Sequence, residues 1–262
     1  MSLEGRRFVA LGSSYGAGPG LRPRVKGSPL AAGRSASNYA HLVAGHLGMD
    51  LTDVTFSGAT VAQLRHGGPA DRPAQQAAVT PDTALVTITG GGNDVGYLPA
   101  LTLSSLPSPL AELLRTPSRV RAFTSRTETD RRFADLTTEL VGLLADLRTN
   151  APDARILMVG YLTLLPPRDT DTGVLPAPVA EWGRGIAQRL TDVMRSAAQA
   201  TGTEFVDVST ASAEHHAWSA DPWTRRFHPT LRGGAAYHPN LAGMRAVAEM
   251  VAERLRAEPL PD

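Results

Sequence analysis

Short β-rich apolar runs alternate with helical patterns along the whole chain, and this alternation constrains the fold more than any other feature. The apolar runs are residues 7–11, 84–89, 155–160 and 204–208, with a weaker one at 51–56. Apolar residues recur at helical spacing between them, near 38–48, 129–149, 177–200 and 240–256. Strands that alternate with helices favour a parallel sheet with helices on both faces. We therefore predict a three-layer α/β/α fold with a central parallel sheet.

The composition is that of one large domain. The chain has 262 residues, of which 42% are hydrophobic and 19% charged, so it can bury a sizeable core. No internal repeat or low-complexity linker divides it, and we predict a single domain over 1–262. The segment 99–127 is apolar at first and then rich in Arg and Ser. We expect it to form a helical insertion near the edge of the sheet.

Charge and composition exclude several classes of function. The formal net charge is only +1, from 26 basic and 25 acidic residues, which implies no nucleic-acid surface. The chain has no cysteine, so a disulfide framework, a thiolate nucleophile and Cys-ligated zinc are all excluded. No His, Asp and Glu cluster has a recognisable ligand spacing. We expect neither a metal nor a cofactor.

The apolar runs also bear on location. The longest, 156–165, is too short to span a bilayer, so we predict no transmembrane segment. The N-terminal "MSLEGRR" leads straight into a four-residue apolar run and lacks the apolar stretch of a secretory signal. The sequence as it stands predicts a soluble, cytoplasmic protein, or a secreted one if a leader was removed.

The first apolar run ends in "FVALGSSYGAGPG", residues 8–20, where glycines surround two serines. Gly16, Gly18 and Gly20 give G-x-G-x-G, which is not the dinucleotide fingerprint, and no P-loop lysine follows. The same stretch places Ser14 at the centre of G-x-S-x-G. The nucleophile elbow of α/β-hydrolases, however, is reached only after several strands. Ser14 follows the first strand, so that fold does not suit the order of elements.

Four short motifs together resemble the GDSL, or SGNH, hydrolase family. They are "ALGSSYGAG" with Ser14, "FSGAT" with Gly58, "TGGGND" with Asn93 and "AAYHPNLAG" with His238. They occur in the family's order, and each lies at the end of a predicted element. The resemblance implies a flavodoxin-like three-layer fold and a serine esterase or lipase that cleaves carboxylic esters.

The resemblance also assigns a role to each of these residues. A serine hydroxyl needs a base to remove its proton, and the family pattern gives Ser14 as nucleophile and His238 as base. Attack on an ester creates an oxyanion that needs hydrogen-bond donors. The pattern supplies the backbone N–H groups of Ser14 and Gly58 and the side-chain amide of Asn93. An acyl-enzyme on Ser14 follows from these roles.

The chain departs from the family pattern at two positions. Ser13 stands where the family usually has the Asp that precedes the nucleophile. The last block is usually D-x-x-H, but Ala235 stands three residues before His238, so the acid that orients the histidine is missing. Some members of the family use a backbone carbonyl instead. We expect the carbonyl of Ala235 to orient His238, with the carboxylate of Asp221 as the alternative.

The residues beside the four motifs bear on the substrate. Tyr15, Tyr97, Leu98 and the apolar part of 99–114 lie beside the motifs and are expected to form an acyl pocket. They favour a small-molecule ester with a lipophilic or short aliphatic acyl group. A carbohydrate acetylesterase or a thioesterase remains an alternative within the family. A rival from another class is a non-catalytic carbohydrate- or lipid-binding protein on the same fold, in which the missing acid reflects lost activity.

Overall fold

A single parallel sheet forms the centre of the structure, which is a computed structural model that describes residues 3–106, 125–228 and 235–257. Its strands are β1 (Arg7–Gly12), β2 (Asp50–Asp53), β3 (Thr83–Thr89), β4 (Arg155–Val159) and β5 (Glu204–Val206). They lie in the order β2-β1-β3-β4-β5, and every pairing is parallel. This order is the flavodoxin-like one. The predicted fold class is confirmed.

Helices cover both faces of this sheet. Those of the described residues are α1 (Ser14–Ala17), α2 (Tyr39–Leu47), α3 (Val61–His66), α4 (Tyr97–Ser105), α5 (Arg126–Asn150), α6 (Ala177–Ala200), α7 (Val208–Ala211) and α8 (Leu241–Ala257). Helices α2 and α8 pack on each other in one layer, and α5 packs against both α3 and α6 in the other. Within the described residues, no helix is long and apolar enough to cross a membrane.

The expected insertion at 99–127 is only partly described. Helix α4 contains its first residues and ends at Ser105, and α5 begins at Arg126. Residues 107–124 lie outside the described part of the chain. The helical insertion therefore stays a prediction, and so does the single domain over 1–262.

The buried strands explain why the apolar runs were visible in the sequence. All seven residues of β3 are buried, as are five of the six in β1, because helices cover both faces of the sheet. Helix α5 buries one leucine-rich face against the sheet, formed by Leu136, Leu140, Leu143, Leu144 and Leu147. Each buried leucine contributes about 1.5–3 kcal/mol.

The carboxyl end of β1 is shaped by a glycine. Gly12 has φ +147°, and a Cβ there would lie 2.4 Å from the carbonyl oxygen of Thr89 on β3. The buried side chain of Gln75 bonds both backbone groups of Gly12, at 2.8 Å to the nitrogen and 3.0 Å to the oxygen. The Gln75 amide thus pairs with β1 beyond the end of β2. The chain can turn sharply here and enter α1.

Candidate active site

Ser14 is the first residue of α1, directly beyond the turn at Gly12. The N–H of the preceding Ser13 donates to the carbonyl of Thr89 at 2.9 Å, which fixes the turn to β3. Ser14 is 7% exposed. The first amides of a helix have no carbonyl partner within the helix, so the N–H of Ser14 is available to a ligand. The turn presents the hydroxyl and the amide of Ser14 together.

The structure brings His238 to Ser14 from the other end of the chain. His238 Nε2 lies 2.7 Å from Ser14 Oγ, which is hydrogen-bond distance. The imidazole is half-buried, and its centroid lies 5.6 Å from that of the Tyr15 ring. The predicted nucleophile and base are therefore adjacent, in the geometry that proton transfer requires.

Backbone hydrogen bonds hold the loop that carries His238. The carbonyl of His238 accepts from the N–H of Arg225 at 3.0 Å, and Tyr237 N–H donates to the carbonyl of Arg225 at 3.1 Å. The N–H of Asn240 donates to the carbonyl of Trp223 at 2.9 Å. Residues 223–225 thus pair with the loop like a short antiparallel strand. The loop is fixed before α8 begins.

The group that contacts the second nitrogen of His238 is a backbone carbonyl, but not the expected one. His238 Nδ1 lies 2.7 Å from the carbonyl oxygen of Ala236, whereas we expected that of Ala235. Tyr237, which lies between Ala236 and His238 in the chain, has φ +60°. This residue turns the chain so that the imidazole folds back over Ala236. Ala235 instead donates its N–H to the carbonyl of Pro19 at 3.2 Å. The expected position was wrong by one residue.

The alternative acid, Asp221, faces a different histidine. Its carboxylate Oδ2 lies 3.4 Å from His215 Nδ1, and its side chain is 77% exposed. The carbonyl of Asp221 is also 2.8 Å from His215 Nδ1. His215 in turn stacks on Trp223 with ring centroids 3.9 Å apart. Asp221 therefore helps to position the 223–225 segment, through His215 and Trp223.

Burial sets the protonation of His238. It lowers the pKa of His238 below the ordinary value of 6.5, and the hydrogen bond to Ala236 opposes this effect only in part. A buried imidazolium without a carboxylate partner is disfavoured because its charge is poorly solvated. His238 is therefore neutral near pH 7, as a general base must be.

Gly58 lies in the loop that follows β2. The N–H of Ala59 donates to the carbonyl of Phe56 at 3.1 Å, and Gly58 has φ +80°, as the third residue of a type II turn requires. A Cβ built on Gly58 would meet nothing within 4 Å, so the backbone here borders open space. In the described residues, the N–H of Gly58 has no hydrogen-bond acceptor. This amide can face a ligand.

Asn93 joins the loop after β3 to the Gly58 loop. Its side-chain nitrogen donates to the carbonyl of Ala59 at 2.9 Å. An amide nitrogen has two hydrogens, so one remains for an oxyanion. The neighbouring Gly92 donates its N–H to the hydroxyl of Tyr161 at 3.0 Å, which fixes the other side of this loop.

Asp94 forms a second link between these two loops, which the sequence reading did not identify. Its two carboxylate oxygens lie 2.9 Å and 3.2 Å from the N–H of Val61, the first residue of α3. Burial raises the pKa of Asp94 to about 6, and the backbone hydrogen bonds from Val61 and from Asp94 itself lower it in part. The carboxylate holds the start of α3, and with it the Gly58 loop.

The three residues expected to form an acyl pocket are all buried. Tyr15 is 3% exposed, Tyr97 1% and Leu98 5%. Tyr15 packs against Tyr161, with ring centroids 4.5 Å apart. Tyr97 and Tyr161 line a cavity of about 450 Å³, with a leucine wall formed by Leu162, Leu164 and Leu165. The apolar surface of this cavity thus comes from the loop after β4 as well as from α4.

A metal has no evident place in the described part of the chain. Over those residues, no three or more His, Cys, Asp or Glu side chains are grouped so as to hold an ion. The candidate residues offer a hydroxyl and an imidazole in contact, together with backbone amides and one side-chain amide. They are suited to acyl transfer, in which a nucleophile, a base and oxyanion donors are needed.

Because the pKa of Asp94 is raised, we expect the free energy of unfolding to depend on pH through this group. Because the folded chain favours its neutral form, the stability that this group contributes is complete below pH 3.8 and is lost as the pH rises through about 6. Asp94→Asn removes the charge and keeps an acceptor for Val61. In denaturation at several pH values, the variant should gain free energy of unfolding relative to wild type between pH 4 and 7. A difference that does not change with pH would contradict this assignment.

Known proteins resemble this chain over most of its length. Residues 10–246 match the model of the GDSL-like lipase/acylhydrolase family. Lipase 2 of Streptomyces coelicolor is 35% identical over 249 residues, which are 92% of this chain and 83% of the relative. The lipase of Streptomyces rimosus is 29% identical over 92% of this chain and 83% of its own length.

Solved structures also resemble this chain. An extracellular lipase from Streptomyces rimosus superimposes with a TM-score of 0.71 at 27% identity, over 94% of this chain and 98% of that one. A phospholipase A1 from Streptomyces albidoflavus superimposes with a TM-score of 0.76 at 25% identity, over 95% of this chain and 99% of that one. The acetyl-xylooligosaccharide esterase of a Geobacillus species, at 17% identity and TM-score 0.57, shares the fold over the full length of both chains. The chain belongs to the GDSL-like lipase/acylhydrolase family and is a serine ester hydrolase, as its four motifs predicted.

Proposed function

We propose that this chain cleaves carboxylic esters through an acyl-enzyme on Ser14, with His238 as the only side chain that acts as base. The observation that carries the proposal is the 2.7 Å contact between Ser14 Oγ and His238 Nε2. In the described residues, no acceptor is found for the N–H groups of Ser14 and Gly58 or for the second amide hydrogen of Asn93, so we assign these groups as the oxyanion donors. A non-catalytic binding protein would have no need of this combination.

The reaction proceeds in two halves. Ser14 Oγ attacks the ester carbonyl while its proton passes to His238 Nε2, and the oxyanion accepts hydrogen bonds from Ser14, Gly58 and Asn93. His238 then gives the proton to the leaving alcohol as the C–O bond breaks. A water molecule attacks the acyl-enzyme, with His238 again taking the proton, and the acid is released.

The Ala236 carbonyl carries out part of what a triad carboxylate does. By accepting from Nδ1–H it selects the tautomer in which Nε2 is unprotonated and faces Ser14. A neutral carbonyl stabilises the imidazolium that forms during attack less than a carboxylate would. The resting histidine is expected to be neutral, because no carboxylate of the described residues contacts it and raises its pKa.

We propose lipophilic esters as the substrate class. Two curated relatives and one structural neighbour are described as lipases, and another neighbour as a phospholipase A1. In this chain, Tyr97, Tyr161 and three leucines line a cavity, and Tyr161 packs on Tyr15, the residue after Ser14. Hydrolysis of p-nitrophenyl esters from acetate to palmitate tests this class. A preference for acetate would favour a carbohydrate acetylesterase instead.

The same comparison bears on where the protein acts. The Streptomyces rimosus structure is described as an extracellular lipase. We propose that this chain also acts outside the cell, instead of in the cytoplasm. Ester hydrolysis in culture medium, compared between the producing strain and one that lacks the gene, tests this location.

Ser14 and Ser13 make the most direct test of the mechanism. Ser14→Ala should lose labelling by a fluorophosphonate probe and lower kcat by about four to six orders of magnitude, because no nucleophile remains. Ser13→Ala is the matched control, with the same atom removed one residue earlier, and should keep kcat within about tenfold. The reverse result would shift the motif by one residue and assign the mechanism to Ser13.

Asp221 tests whether a carboxylate takes part. Loss of a triad Asp costs about 10⁴ in kcat, because the histidine takes the wrong tautomer. Asp221→Asn keeps the shape of the side chain and removes its charge. Since Asp221 faces His215, the variant should lower kcat by less than about tenfold. A fall of three or more decades with an unchanged circular dichroism spectrum would make Asp221 the third member of a triad.

A further inference from the structure

A residue with no role in the proposed chemistry lies between the two that form the His238 contact. Tyr237 is fully buried and has φ +60°, a conformation that a bulky side chain rarely adopts. We propose that Tyr237 is a positioning residue: its hydroxyl, bound to Ser105, holds the left-handed turn that places the Ala236 carbonyl against His238 Nδ1. This inference rests on the proposed function, in which that carbonyl replaces a carboxylate.

The polarity of the Tyr237 hydrogen bond follows from its neighbours. Ser105 Oγ lies 2.9 Å from the carbonyl oxygen of Leu101, which can only accept, so the single hydroxyl proton of Ser105 is used there. Tyr237 Oη lies 2.5 Å from Ser105 Oγ, so the Tyr237 hydroxyl can donate to Ser105 while Ser105 donates to Leu101. The phenol is tied to the last turn of α4, far along the chain from the His238 loop.

Two aromatic side chains also pack near the ring of Tyr237. Trp218 stacks on it with centroids 6.5 Å apart, and Phe227 packs at 6.3 Å. These contacts restrain the plane of the ring, and the Ser105 bond restrains the direction of its hydroxyl. Both act on the residue whose backbone makes the turn.

A carbonyl needs this kind of restraint more than a carboxylate does. An Asp three residues before the histidine can be aimed by its own side-chain rotamers. A backbone carbonyl can be aimed only by the φ and ψ angles around it, and here one of those residues is in a conformation disfavoured for tyrosine. The turn is therefore held by contacts outside the loop: backbone bonds to Arg225 act on its main chain, and the Ser105 bond acts on the side chain of Tyr237.

The test compares Tyr237→Phe and Ser105→Ala with Tyr39→Phe as matched control. Tyr39 is also buried, and its hydroxyl lies 3.0 Å from Thr89 Oγ1, so its variant loses the same kind of bond away from the His238 loop. Tyr237→Phe and Ser105→Ala should each lower kcat by about 10- to 100-fold with KM within twofold. The double variant should be no worse than either single variant, because both remove one interaction. Tyr39→Phe should keep kcat within twofold.

A spectroscopic readout separates positioning from loss of stability. In the folded protein, the downfield ¹H NMR resonance of His238 Nδ1–H reports its bond to Ala236. We expect the resonance to weaken or shift upfield in Tyr237→Phe and Ser105→Ala, and to stay in place in Tyr39→Phe. An unchanged resonance, or a kcat within twofold of wild type in folded variants, would overturn the proposal. If wild type hydrolysed no ester, the proposed function would fail, while the resonance would still test the role of Tyr237.

Discussion

The hydrogen bond between Ser14 Oγ and His238 Nε2 is the interaction on which the arrangement of the site depends. It joins the end of the first strand to the loop before the last helix. In a parallel sheet the carboxyl ends of the strands share one edge, so both partners arrive there. Gly12 and Gln75 fix one partner, and residues 223–225 fix the other.

Among the described residues, no carboxylate contacts His238, and this has two consequences. Burial keeps the imidazole neutral, so the base is available without a compensating charge. The orienting group, however, becomes part of the backbone, and its direction depends on the turn at Tyr237. A partly buried carboxylate, that of Asp94, instead bonds to the start of α3 and so supports the loop of Gly58, the proposed oxyanion donor.

The fold could be predicted because buried strands appear in the sequence as apolar runs. The contact between Ser14 and His238 was expected from the resemblance of four short motifs to a known family, and the structure brings the two residues together. The acceptor for His238 could not be placed to the residue, since the left-handed conformation of Tyr237 has no sequence signature. Links between distant loops, such as Asp94 to Val61, were missed for the same reason: they depend on tertiary contacts, not on spacing.

The central claim is that a neutral carbonyl, not a carboxylate, orients His238. An NMR titration that follows the Cε1–H resonance of His238 in the wild-type protein measures its pKa directly. If a carbonyl orients His238, we expect a midpoint below the ordinary histidine pKa of 6.5, because burial lowers the pKa and no carboxylate raises it. A midpoint above that value would show that a carboxylate is paired with the imidazole, and would contradict the account.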